Sequence, residues 1–171
     1  GPLAETLLRD YGNASAAKSI RLRIAGDPGA FSVMADRSAL HQILDNLLSN
    51  AIKYSPHGRE VCLVFSSHTA GTVDLAIVDQ GPGLSDDDQK KLFGKFARLT
   101  PQPTGGESSN GLGLWIVQRM ARLMGGDVTC QSRLGDGSTF TLTLPAASAP
   151  DTTSPHSAPF ALTGKDIPSE P

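Results

Sequence analysis

Leu40, Ile43, Leu44, Leu47, Leu48, Ala51 and Ile52 recur three and four positions apart, the period of a long helix that buries one face. Asp36 stands where a residue would cap its start, and Ser55-Pro56-His57-Gly58 supplies its stop. Such a helix needs a complementary apolar surface, and the rest of the chain offers short strands. Ile20, Leu22 and Ile24 alternate with Arg21 and Arg23, and Phe31, Val33 and Ala35 suggest a second short strand beyond the Asp27-Pro28-Gly29 turn. Strands follow at 60–67 and 72–79, joined through Ala70-Gly71. Two more, at 127–133 and 138–144, flank Gly135-Asp136-Gly137.

The remaining helices are shorter. Leu3, Leu7, Leu8 and Tyr11 form an amphipathic stretch that stops near Gly12-Asn13, and a helix from about Leu112 to Met124 ends at Gly125-Gly126. Residues 80–110 hold one short helix, announced by Ser85 with Asp88 three positions on and Lys90-Lys91 in its last turn. The rest of that segment is irregular and rich in Gly, Pro and Ser, as in a lid over a site or a disordered stretch. The order of elements predicts an α/β fold with a mixed sheet.

With 171 residues, 39% of them hydrophobic, there is material for one well-buried core. From residue 147 to 171 the composition turns to Ser, Pro, Ala and Thr, which reads as a flexible tail or linker; Phe160-Ala161-Leu162 is its only apolar cluster. Fifteen basic and 17 acidic residues are intermixed, net −2, so no basic face asks for nucleic acid. No apolar run reaches the ~20 residues of a bilayer crossing. Cys62 and Cys130 lie outside any short metal-binding spacing and read as two reduced thiols. Gly1-Pro2 ahead of Leu3, with no initiator methionine, reads as a tag scar on a piece cut from a longer protein.

Three patterns carry chemistry. Asn46, Asn50 and Lys53 fall within an arc of about 60° on the long helix, a polar stripe beside the apolar face. Asparagine is a mediocre helix former, so two of them one turn apart suit ligation of metal or phosphate, though a solvated face also explains them. Asp79-Gln80-Gly81-Pro82-Gly83 ends a strand in an acid able to accept from an exocyclic amine such as adenine's, with glycines that permit close approach; ordinary turn chemistry has the same form. Asn110-Gly111-Leu112-Gly113-Leu114 opens the helix after the irregular segment, where unpaired amides cradle phosphate or merely begin a helix.

In this order, with Phe93-Gly94-Lys95-Phe96-Ala97-Arg98 between the second pattern and the third, the chain resembles the catalytic, ATP-binding domain of sensor histidine kinases. Its superfamily, the GHKL or Bergerat-fold ATPases, also holds type II topoisomerases, mismatch-repair proteins and heat-shock chaperones. Leu47–Ser55 is similar to the N box, Asp79–Gly83 to the G1 box, Phe93–Arg98 to the F box and Gly111–Leu114 to the G2 box. Gly135-Asp136-Gly137-Ser138-Thr139-Phe140 is similar to the terminal hairpin. The resemblance covers residues 3–146 and implies a two-layer α/β sandwich, its mixed, mainly antiparallel sheet covered by helices on one face and its site closed by an ATP lid.

That resemblance also implies roles. Asn50 would ligate Mg²⁺ on the ATP phosphates, with Asn46 positioning metal, water or γ-phosphate and Lys53 approaching the phosphates. Tyr54 would cover the adenine, whose amino group Asp79 would receive, with Ser138 assisting through a water. Gly81 and Gly83 would let the chain pass the base, and Gly111, Leu112, Gly113 and Leu114 would close backbone amides on the phosphates. Phe93 and Phe96 would anchor the lid, and Arg98 would neutralise charge on the transferred phosphoryl. Asn46 stands where the hydrolytic relatives place a water-activating Glu, which favours transfer to histidine over hydrolysis. Asn110 and Ser138 depart from the commoner Thr or Ser and Thr at those places.

His41, His57, His68 and His156 lack a phosphoacceptor setting, so the acceptor is expected on a separate dimerisation domain, with a response regulator next in the relay. The expected fragment is monomeric, cut from a homodimeric, cytoplasmic portion of a sensor. The alternatives are a degenerate module binding a nucleotide or second messenger, and an anti-sigma-type serine kinase.

Overall fold

The structure, a computed structural model, describes residues 2–67, 71–106 and 111–147. Helices α1 (Pro2–Asp10), α2 (Gly12–Ala17), α3 (Arg37–Tyr54), α4 (Asp86–Lys91) and α5 (Gly113–Leu123) accompany strands β1 (Arg21–Ala25), β2 (Glu60–Ser66), β3 (Thr72–Asp79), β4 (Asp127–Arg133) and β5 (Gly137–Pro145). The strands form one sheet in the order β1-β2-β3-β5-β4. β1 runs parallel to β2, with α3 in the crossover, and every other pairing is antiparallel.

Alternation along the strands sorts the two faces. In β2, Val61, Leu63 and Phe65 are buried and their neighbours half-buried; in β5, Phe140, Leu142 and Leu144 are buried. These side chains meet Ile43, Leu44, Leu47, Leu48, Ala51 and Ile52 of α3, Ala4 and Leu7 of α1, and Val117 and Ala121 of α5 in one core. Each large aliphatic side chain buried this way stabilises the fold by roughly 1.5–3 kcal/mol. The opposite face, with Val64, Ala76, Thr139 and Thr141 half-buried, has no described helix over it. The expected two-layer sandwich is the observed fold.

Local signals act as their chemistry demands. The Asp36 carboxylate accepts from the Ala39 amide at 2.7 Å and caps α3, and the Ser85 hydroxyl accepts from the Asp88 amide at 3.1 Å and caps α4. Gly135 and Gly137, both at φ +91°, turn β4 into β5. Cys62 and Cys130 are unlinked.

Two expectations are corrected. The first helix does not end the helical segment at Gly12-Asn13: after a break at Tyr11 the chain resumes as α2, where Gly12 is helical and Ala14, Ala16 and Ala17 favour the helix. The strand expected at 31–35 is a single bridge, Val33 to Ala146. Its partner strand ends in Pro145, whose carbonyl accepts from the Met34 amide at 3.3 Å but which has no N–H to return. Pro2 is the first residue of α1, a position that tolerates proline. The expected tail lies outside the described residues apart from Ala147, whose amide donates to the Ser32 carbonyl at 2.8 Å. Asn110, His68, His156 and Phe160-Ala161-Leu162 also lie outside them.

Candidate functional site

The polar stripe stays outside the core because α3 buries its apolar face against the sheet, α1 and α5. Asn46 and Asn50 are half-buried, and the Asn50 Nδ2 donates to the Asn46 Oδ1 at 3.2 Å. That bond leaves the Asn50 Oδ1 without a hydrogen-bond donor among the described residues, so a hard-cation ligand is available there.

The beginning of α5 is seated on this stripe. A Cβ on Gly113, the first residue of α5, would lie 2.6 Å from the Asn46 Nδ2 and 3.0 Å from its Oδ1. Only glycine lets the two helices come this close without displacing the amide. Leu112 precedes α5 without a side-chain cap, so the first amides of the helix keep their hydrogen-bonding capacity beside Asn46. Gly111, at φ +64°, passes so near Ala97 that a Cβ would lie 2.4 Å from the Ala97 carbonyl oxygen. Leu114 packs on the core and orients the helix.

Asp79 ends β3 and is only 6% exposed. Its Oδ1 accepts from the Gly81 amide at 2.8 Å and the Ser138 amide at 3.2 Å. Burial pushes its carboxyl above the ordinary aspartate value, against the opposing pull of those two amides. The Cys130 thiol is pushed up to about 12, by burial first and then by the charge of Asp79. The second oxygen of Asp79 accepts no hydrogen bond from the described residues.

Backbone crowding explains the glycines here. A Cβ on Gly81 would lie 2.9 Å from the Asp79 Oδ1 and 3.2 Å from the Tyr54 carbonyl oxygen, which puts the end of α3 next to the Asp79 loop. Gly83, at φ +68°, would set a Cβ 2.0 Å from the Arg133 carbonyl oxygen. A shallow cleft of about 330 Å³ is lined by Asp79 and Ser138 together with Gln131, Arg133 and Thr139, and Asn46 and Asn50 do not line it.

Other expected residues fall into place unevenly. Lys53 and Tyr54 are half-buried in the last turn of α3, and Arg98 is exposed. Phe93 packs against the core. Phe96 does not anchor in this structure: it is 62% exposed, at φ +58°, with the Lys95 Nζ 5.4 Å from its ring centroid. The same ammonium lies 5.6 Å from the Trp115 ring, so it bridges two aromatic faces. His41 is half-buried and His57 exposed at the end of α3.

Sequence reasoning missed several supports. The Ser132 hydroxyl donates to the Gly137 carbonyl at 2.8 Å and accepts from the Leu84 amide at 2.8 Å, 3.0 Å from the Ser138 hydroxyl. Asp88 holds the Thr100 amide at 3.0 Å through Oδ1 and takes the Ser85 hydroxyl at 2.8 Å on Oδ2; the Thr100 amide, more than any other group, holds its carboxyl below the ordinary aspartate value. Lys18 is buried against the end of α3. Pairing of β4 with β5 implies the Ser132 contact and the three-residue spacing signals the Ser85–Asp88 pair, but nothing local signals the contacts of Thr100 and Lys18.

A mixed five-stranded sheet covered by helices on one face is the architecture of one class of ATPase domains. The chain belongs to the histidine kinase-, DNA gyrase B- and HSP90-like ATPase family, whose profile matches residues 35–148. Within that family its relatives are sensor histidine kinases. It is 35% identical over 137 residues to the sensor-like histidine kinase SenX3 of Mycolicibacterium smegmatis, covering 80% of this chain and 35% of that protein. The chain thus spans about a third of the length of that curated relative. Among solved structures it is similar to the mycobacterial sensor histidine kinase MprB, with TM-score 0.71, 26% identity, and coverage of 84% of this chain and 95% of that one. It is also similar to full-length ShkA in complex with AMPPNP, with TM-score 0.73, 31% identity, and coverage of 86% of this chain and 30% of that one.

Proposed function

We propose that this chain is the catalytic, ATP-binding domain of a sensor histidine kinase, transferring the ATP γ-phosphoryl to a histidine on a separate dimerisation domain for relay to a response regulator. The observation that carries this reading is the contact of Gly113 with Asn46, which brings the first amides of α5 beside the asparagine stripe; in this reading the former would take phosphate and the latter metal. ShkA, solved with AMPPNP, supports nucleotide binding on the same fold.

Asp79 would accept the adenine amino group on its Oδ2 while its Oδ1 stays tied to Gly81 and Ser138. The raised affinity of this carboxyl for protons reflects exclusion of water, which strengthens a hydrogen bond made there. Tyr54 would lie against the base and Ser138 would assist through a water. The amides of residues 112–114 would take the phosphates at the α5 start, with Lys53 and Arg98 offsetting their charge.

The residues fit Mg²⁺. No cluster of three or more acidic, His or Cys side chains able to hold a metal occurs among the described residues, and the amide oxygens of Asn50 and Asn46 suit an ion that keeps phosphate oxygens and waters as its other ligands. Held by these amide oxygens, Mg²⁺ would supply neutralisation of phosphate charge. No described carboxylate occupies the place of Asn46 to activate water, which supports transfer over hydrolysis.

Calorimetric titration with a non-hydrolysable ATP analogue and Mg²⁺ tests the reading, with Asn50→Ala and Asp79→Asn alongside. Micromolar binding weakened in both variants is expected. A folded chain that does not bind refutes it.

A further inference from the structure

Lys18 sits at the junction of α2 and β1, 8% exposed. Its ammonium donates to the carbonyls of Ile52 and Lys53, each at 3.1 Å, and to the Thr104 hydroxyl at 2.9 Å. Those carbonyls belong to the last turn of α3, where backbone oxygens lack intrahelical partners and the helix dipole is negative. A buried cation at that place is held by the end of the helix itself.

Thr104 grips the same turn from the segment that follows the F box. Its amide donates to the Lys53 carbonyl at 2.9 Å, and its hydroxyl lies 2.9 Å from the Ser55 carbonyl oxygen and 3.0 Å from that of Lys53. Residues 18, 52–55 and 104, distant in the chain, therefore meet at one point. Tyr54 lies between two of the bonded carbonyls, and its own carbonyl faces Gly81. Four positions before Thr104, Thr100 is held by Asp88, so the 100–104 stretch is tied at both ends.

Lys53 and Tyr54 leave the backbone from this gripped turn. We propose that Lys18 and Thr104 are positioning residues for nucleotide binding: together they set the placement of Lys53 and Tyr54 and make nucleotide affinity depend on the position of the α2–β1 junction. This rests on the nucleotide site proposed above. Neither residue touches the nucleotide in this reading, and both act through the backbone of 53–55.

Thr104 is largely exposed, so Thr104→Val removes the hydroxyl bonds without opening the core. We expect an ATP analogue with Mg²⁺ to bind Thr104→Val about tenfold more weakly, because Lys53 and Tyr54 are then no longer pre-organised for it. Its melting temperature should stay within about 4 °C of the unaltered chain. Thr104→Ser, which keeps the hydroxyl, should restore affinity. Lys18→Met should weaken binding more, and Val73→Ala, a core change at the end of β3 far from Asp79, should lower stability without altering affinity. Wild-type affinity in Thr104→Val overturns the inference alone. Equal affinity losses in Lys18→Met and Val73→Ala overturn it as well, by making loss of stability the cause. No binding by the unaltered chain overturns this inference and the nucleotide site together.

Discussion

Gly113→Ala probes the one contact on which the nucleotide site depends. The added Cβ would stand 2.6 Å from the Asn46 Nδ2, against 3.4 Å for ordinary contact, so the amide must retreat by about 0.8 Å. The obstacle is the tip of a side chain, which escapes by rotation at a cost of roughly 0.5–1.5 kcal/mol. Alanine in place of glycine at a helix position returns up to about 1 kcal/mol. Stability should therefore change by no more than about 1 kcal/mol, while the Asn50 to Asn46 hydrogen bond of 3.2 Å is broken. If the pair holds metal and phosphate, displacing it removes charge-assisted contacts worth about 1.5–3 kcal/mol, a ten- to hundredfold loss of affinity. Calorimetry with Mg²⁺ and an ATP analogue reads the affinity, and thermal unfolding followed by circular dichroism reads the stability. In an Asn46→Ala background the new methyl has room, so Gly113→Ala should cost nothing further. Unchanged affinity in the single variant would refute the reasoning, and so would a full additional loss in the Asn46→Ala background.

Three further outcomes follow from the geometry. Asp79 has a folded pKa raised above its unfolded value, so ionisation penalises the fold as pH rises through and above the ordinary aspartate range. Asp79→Asn should abolish that decline in urea-unfolding stability, and an identical pH profile in both proteins would count against a desolvated carboxylate. Gly137→Ala should destabilise by about 3 kcal/mol or more, because at φ +91° its Cβ would fall 2.1 Å from the Asp79 carbonyl oxygen; a melting temperature near that of the parent would contradict the packing of β5 on Asp79. The Tyr11 hydroxyl donates to the Asp45 Oδ1 at 2.8 Å, and burial, then that bond, push its pKa up to about 12. Its contribution is present below about pH 10, the unperturbed tyrosine value, and lost as pH rises through 12. Tyr11→Phe should lack this loss, as difference spectra and unfolding between pH 9 and pH 12 would reveal.

The elements of the fold were legible because their signals are local. The three- and four-residue spacing from Leu40 to Ile52, the caps at Asp36 and Ser85, and the Gly135-Asp136-Gly137 turn each act within a few residues of themselves, so the sequence determined α3, α4 and the last hairpin. It also determined which side chains were candidates: Asn46 and Asn50 share a helix face by geometry alone, and Asp79 ends its strand where the alternation stops. Whether Asn46 meets Gly113, and whether Asp79 loses its water, depends on contacts between segments tens of residues apart, and only the tertiary structure decided these. The same reason separates Phe93 from Phe96, alike in sequence but packed and exposed in the fold. Lys18 is the extreme case. In the sequence it is an ordinary lysine after a run of alanines, and its burial against the end of α3 comes from the return of residue 104 to a helix that ended about fifty positions earlier. A hydrogen bond of that span carries no periodicity, because nothing between its partners has to repeat for it to form.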